Sequence, residues 1–135
     1  MAPVDRVVEF LARVGDGDVD RLAEYWTDDF VLEFPYADPP RAIEGKSGVC
    51  AYLREALALF RMRLRVTDVY ECPDRDVVIA EYVSEGQVTT TGKPYHNRYI
   101  GVFMFRGDQV SWQREFYNPI PAVEALRVGG AREPT

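Results

Sequence analysis

Over the first sixty residues the apolar positions recur mostly at helical spacing. Val4, Val7, Val8, Leu11 and Val14 mark a helix of about three turns, ended by Gly15 and Gly17. Asp18 is placed to cap a second helix, DVDRLAEYW, whose apolar side is Val19, Leu22, Ala23 and Trp26. FVLEF reads as a short strand. YADPPRAIEGKSG reads as loop, because Pro39, Pro40, Gly45 and Gly48 punctuate it. VCAYLREALALF then sets Val49, Tyr52, Leu53, Ala56, Leu57 and Phe60 on one face of a third helix.

From residue 64 the period falls to two. LRVTDVYE, VVIAEYVSEGQVTT, YHNRYIGVFMF and QVSWQREFYN are predicted strands, joined by turns at CPDRD, TGKP and RGD. PAVEAL opens on a proline suited to a first helical turn. Helix, helix, strand, helix and then four strands is an α+β order. Helices are expected over the concave face of a curved antiparallel sheet, forming a cone-shaped pocket. A length of 135 residues suits one core. Residues 1–128 are expected to form a single domain and residues 129–135 a mobile C-terminal tail.

Charge narrows the chemistry. Sixteen basic against 22 acidic residues, net −6, argues against nucleic acid as a partner, since no basic stripe is available to release counterions. Arg61, Arg63 and Arg65 alternate with apolar residues and read as the charged outer face of a strand. The single histidine, His96, and two cysteines, Cys50 and Cys72, form no CxxC or HExxH pattern, so neither a metal site nor a Cys/His nucleophilic group is expected. No cofactor is expected either, and chemistry must come from carboxylates, tyrosines, amides and arginines. No apolar run reaches the roughly 20 residues of a membrane span. The scattered cysteines and the lack of a signal peptide point to the cytoplasm.

GDVDRLAEYWTDDFVLEFP resembles the helix-to-strand signature of the nuclear transport factor 2-like superfamily, which includes ketosteroid isomerase and the SnoaL-like polyketide cyclases. NRYIGVFMFRGDQVSWQREFYNP is similar to the closing strands of the phenazine-biosynthesis A/B proteins. The resemblance implies a cone with a buried small-molecule pocket and a homodimer through the outer sheet face. It also places Phe10, Phe34 and Gly101 where the isomerase carries its tyrosine, general base and acid. None of these side chains exchanges a proton, so a dienol-forming isomerase of that design is excluded. A limonene-epoxide-hydrolase-like site fits less well, because the inward positions read Asn97, Tyr99 and Gly101 rather than Asp-Arg-Asp. Epoxide opening by another arrangement stays open.

With Gly101 inward, alternation puts Tyr95, Asn97, Tyr99 and Phe103 on the pocket side and His96, Arg98, Ile100, Val102 and Met104 outside. Register with the family places Gln113, Glu115 and Tyr117 inside, with Tyr82, Ser84 and Gly86 inward on the strand before. Glu115 is then the single inward carboxylate, and the resemblance sets the catalytic glutamate of the phenazine A/B proteins at this motif position. Loss of water should raise its pKa toward neutrality. An ion pair with an arginine at a sheet edge is the competing reading, although Arg114 points to the other face.

The expected catalytic residues are Glu115, Asn97 and Tyr99, the last two hydrogen-bonding a substrate carbonyl or orienting Glu115, with Tyr82 or Tyr117 as further candidates to hold the oxygen that gains charge. Tyr82, Tyr117, Phe103, Gln113, Phe34, Phe10 and Tyr52 are expected to line the binding site, with Tyr36, Asp38 and Arg41 on a loop at its rim. The expected function is cofactor-independent proton-transfer chemistry (cyclase, isomerase, dehydratase or condensing type) on a small, mostly apolar carbonyl compound of natural-product biosynthesis. A non-catalytic binding module, or a subunit that pairs with an active paralogue, is the alternative.

Overall fold

The computed structural model describes residues 1–128. The expected tail, 129–135, lies outside the described residues. Helix α1 (Pro3–Arg13) and a short α2 (Val19–Ala23) precede strand β1 (Trp26–Phe34), strand β2 (Arg41–Glu44) and helix α3 (Lys46–Leu59). Strands β3 (Phe60–Cys72), β4 (Val77–Val88), β5 (Pro94–Arg106) and β6 (Gln109–Tyr117) follow, and helix α4 (Ile120–Leu126) closes the described chain. The fold is α+β. One sheet runs β2-β1-β6-β5-β4-β3, antiparallel except for the parallel β1/β6 pair.

Four boundaries differ from the sequence reading, each for a tertiary reason. The second helix stops at Ala23, and Trp26 opens β1 instead of ending the helix. There Trp26 stacks on Phe30 at 4.7 Å, and the Val110 amide donates to the Tyr25 carbonyl, so pairing with β6 outweighs helical spacing. The proline-rich segment holds β2, whose single inward apolar residue, Ile43, is too weak a pattern to read alone. Helix α3 begins at Lys46, three residues before its apolar face. Phe60 belongs to β3, which starts four residues before the predicted strand and carries Arg61, Arg63 and Arg65 on its exposed face.

The core fills the space between the concave sheet face and the helices. Val7, Phe10 and Leu11 from α1 meet Trp26 and Phe30 from β1 and Phe103 from β5, all buried. Val8 lies 38% exposed, away from that side of α1. Helix α4 is tied to the β4–β5 end of the sheet by hydrogen bonds from Thr91 Oγ1 to the Ala125 carbonyl, 2.7 Å, and from Lys93 Nζ to the Glu124 carbonyl, 3.1 Å. The helices thus wall a space that the sheet alone would leave open.

Candidate functional site

A cavity of about 330 Å³ lies between the sheet and helices α1, α3 and α4. Most of its wall is apolar, including Phe10, Leu11, Trp26 and Phe34. Alternation along β5 is as expected, with Tyr95, Asn97, Tyr99, Gly101 and Phe103 buried, while His96, Arg98 and Ile100 are exposed. On β6, Gln113, Glu115 and Tyr117 all reach the cavity.

Glu115 stands opposite Gly101 in the β5/β6 pairing. A Cβ at Gly101 would come within 2.8 Å of the Tyr82 hydroxyl and 2.7 Å of Phe103, so the missing side chain leaves the space that this hydroxyl fills. From there Tyr82 donates a 2.5 Å hydrogen bond to Glu115 Oε1. The surface Glu115 retains is cavity wall. Burial pushes its pKa up to about 7, and the Tyr82 hydrogen bond opposes part of that rise. Tyr82 itself is held well above the usual phenol range by burial and by the neighbouring carboxylate.

The ion-pair reading of Glu115 does not hold among the described residues. Arg114, on the opposite face, donates to Glu33 at 2.9 Å, and Trp112 Nε1 donates to the same carboxylate at 3.0 Å. Replacing Tyr82 by phenylalanine removes the one hydrogen bond that favours ionised Glu115. Its pKa should then rise further above 7, which NMR titration of the Glu115 carboxyl carbon would measure.

Asn97 differs from expectation. Its amide nitrogen donates to the Tyr95 hydroxyl at 2.8 Å and to the Asn118 carbonyl at 2.9 Å, while its Oδ1 accepts from the Arg98 amide at 2.9 Å. It reaches neither the cavity nor Glu115, because these local partners use its hydrogen-bonding groups. Tyr99 lines the cavity, but its hydroxyl donates to Ser84 Oγ at 2.9 Å and lies 3.0 Å from the Tyr95 hydroxyl. Its ring stacks on Tyr82, with centroids 5.1 Å apart.

Three expected binding residues are also displaced from the wall. Tyr82 and Phe103 sit behind it, the first reaching inward through Glu115 and the second packed against Phe10. Tyr36 is 63% exposed and packs edge-on against Phe116 on the outer side, because the chain turns outward after β1. Phe10, Phe34, Tyr52, Gln113 and Tyr117 line the cavity as expected. Asp38 is also on its wall, and Arg41 rests over the Tyr52 ring, 4.8 Å from its centroid. The sequence reading missed Pro119, Ala122, Val123 and Leu126, which bring α4 onto the wall. The short periodic run PAVEAL carried that signal, but nothing in it says where the helix docks. Among the described residues no three His, Cys, Asp or Glu side chains gather as a metal would require.

Residues 7–112 match the family profile of the SnoaL-like domain. The chain is 34% identical to the "Uncharacterized PhzA/B-like protein PA3332" of Pseudomonas aeruginosa over 124 residues, 89% of this chain and 86% of that protein. It is 32% identical to the "Uncharacterized protein YesE" of Bacillus subtilis over 121 residues, 87% of this chain and 82% of that one. Among solved structures, a Bacillus subtilis protein described as a candidate isomerase superposes with a TM-score of 0.85 at 30% identity, covering 97% of this chain and 98% of its own.

Proposed function

The chain belongs to the SnoaL-like domain family, and on that premise we propose that it is a cofactor-independent enzyme in which Glu115 moves a proton to and from carbon. The reaction class is that of a cyclase, isomerase, dehydratase or condensing enzyme acting on a small, mostly apolar carbonyl compound. The observation that carries the reading is a carboxyl group whose pKa is pushed up to about 7, set in the wall of an apolar cavity. Such a group can take a proton from carbon and return it near neutral pH, where both of its forms are populated. The likeness to a PhzA/B-like protein supports natural-product biosynthesis as the setting, and the free cysteines, Cys50 and Cys72, are compatible with a reducing cytoplasm.

The test is exchange of α-protons in deuterated water for a panel of bicyclic ketones: 1-tetralone, 2-tetralone and 1-indanone. Exchange that the wild-type protein accelerates and Glu115→Gln does not supports the reading. Absence of Glu115-dependent exchange from the whole panel sinks it.

A homodimer through the outer sheet face is part of the same proposal. Ile100 is 45% exposed there beside half-buried Val102 and Met104, and their cross-strand partners Ile79, Trp112 and Phe116 extend the apolar band. Ile100→Glu would put a charge into that contact. Light scattering should find the wild type at twice the chain mass and the variant at the chain mass; equal masses for the two would count against this interface.

A further inference from the structure

The cavity wall carries few polar atoms, and most are already engaged. Tyr95 accepts from Asn97, and Tyr99 donates to Ser84. Glu115 accepts from the Tyr82 hydroxyl, with the Gln113 amide nearby. Two phenols remain. The hydroxyls of Tyr52, from α3, and Tyr117, from the end of β6, have no hydrogen-bond partner among the described residues, and both side chains line the cavity. Their rings flank Phe34, with centroids 5.7 and 6.0 Å from it.

We propose that Tyr52 and Tyr117 together bind the carbonyl oxygen of the substrate as paired hydrogen-bond donors, holding the adjacent carbon against Glu115. This rests on the general-base reading of Glu115 and adds the oxygen site that the reading lacks. Neither hydroxyl is sealed away from the cavity space, so each is open to an acceptor that enters it. Glu115 and Tyr117 are two residues apart on one strand face, which separates their origins by about 6.5–7 Å. A C–H and the oxygen of the neighbouring carbonyl can bridge that gap.

The electrostatics agree. Burial raises the pKa of both phenols, and each is raised further by Glu115, so they remain neutral donors while the carboxylate is charged. Arg41 acts on both in the opposite sense, placing a positive field on their side of the site. In the reaction, the Glu115 carboxylate takes the α-proton, and the C–H electron pair forms the C=C bond as the carbonyl π pair moves onto oxygen. The negative charge passes from Glu115 to the enolate oxygen, where two O–H donors meet it. Return of the proton from Glu115 to the same or another carbon restores the carboxylate. The substrate class is therefore an enolisable ketone, aldehyde or thioester whose oxygen only accepts hydrogen bonds, on an apolar body that fits about 330 Å³.

The test uses 1-tetralone and its hydrocarbon counterpart 1-methylenetetralin with the full chain. The carbonyl stretch of bound 1-tetralone should lie below its frequency in hexane, and the ketone should bind about tenfold more tightly than the hydrocarbon. Tyr52→Phe and Tyr117→Phe should each remove part of both effects. The double variant should return the stretch to its hexane value and the affinity ratio to near one, while still binding 1-methylenetetralin as the wild type does. An unshifted stretch in the wild type, no binding of the ketone at millimolar concentration, or a shift that survives the double variant would overturn the proposal. So would a shift lost on Tyr99→Phe instead. Deuterium exchange into the same ketone separates the two claims: a tyrosine-dependent shift without Glu115-dependent exchange leaves the oxygen site standing and removes the general base.

Discussion

Replacing Glu115 by glutamine is expected to lower turnover by about a thousandfold while leaving the fold and the cavity intact. Glutamine keeps the shape of the side chain and can still accept a hydrogen bond from Tyr82, but it cannot take a proton from carbon. No second carboxylate in the cavity is hydrogen-bonded to a buried donor as Glu115 is; Asp38 lies on the proline-rich segment instead. Steady-state kinetics on a ketone that undergoes wild-type exchange would measure the loss as a fall in kcat with little change in KM. Near-wild-type turnover would assign the cavity to carrying a metabolite rather than transforming it.

A stability measurement on the same variant checks the environment of the group independently. The folded-state pKa of Glu115, about 7, lies above the ordinary glutamate value of 4.5. Below pH 4.5 both folded and unfolded chains hold the proton and nothing is lost. As pH rises toward 7 the unfolded chain releases the proton first, so wild-type stability falls through that window and levels off above it. Glutamine carries no such penalty. Glu115→Gln should therefore gain on the wild type between pH 4.5 and 7, by up to about 3 kcal/mol, as read from urea unfolding at pH 4 and pH 8. Equal pH dependence in the two proteins would mean that Glu115 is hydrated in the folded state.

The positions that alternation fixes were legible in the sequence. A strand has two faces, so once Gly101 was set inward, the burial of Tyr95, Asn97, Tyr99 and Phe103 followed, and so did the exposure of His96 and Arg98. Family register did the same for Glu115 and Tyr117. What alternation cannot say is how far an inward side chain travels and whom it meets. Asn97 points inward yet is consumed by Tyr95 and Asn118, and Tyr82 points inward yet reaches the cavity only through Glu115. The partnerless hydroxyls of Tyr52 and Tyr117 were illegible for the same reason, since a missing partner is a property of the packed surroundings. Segments with weak periodicity failed differently. Strand β2 exists because Val31–Phe34 offers a ladder to Arg41–Glu44, and the four residues RAIE carry no pattern of their own.

Gly86 was legible as an inward residue, but the reason for glycine there is steric, and Gly86→Ala is expected to be the most destabilising single methyl in the sheet. A Cβ at this position would lie 2.0 Å from the Arg61 carbonyl oxygen and 2.6 Å from the Met62 Cα. Those are backbone atoms of β3, paired with β4 from Phe60↔Val88 to Cys72↔Val77, so no side-chain rotation relieves the clash. The strand must move away, and Phe60 and Met62, which line the cavity, must move with it. Driving a group into packed backbone costs roughly 3 kcal/mol or more, which for a domain of this size lowers Tm by about 10 °C. Gly48→Ala is the matched control. It lies in α3 with only Ile43 Cγ2 nearby, 3.6 Å from the added Cβ, so alanine should gain roughly 0.5–1 kcal/mol from helix propensity. Calorimetry should therefore move the two variants in opposite directions. A Gly86→Ala protein as stable as the wild type would mean that β3 does not approach β4 this closely, and the cavity wall formed by Phe60 and Met62 would have to be drawn elsewhere.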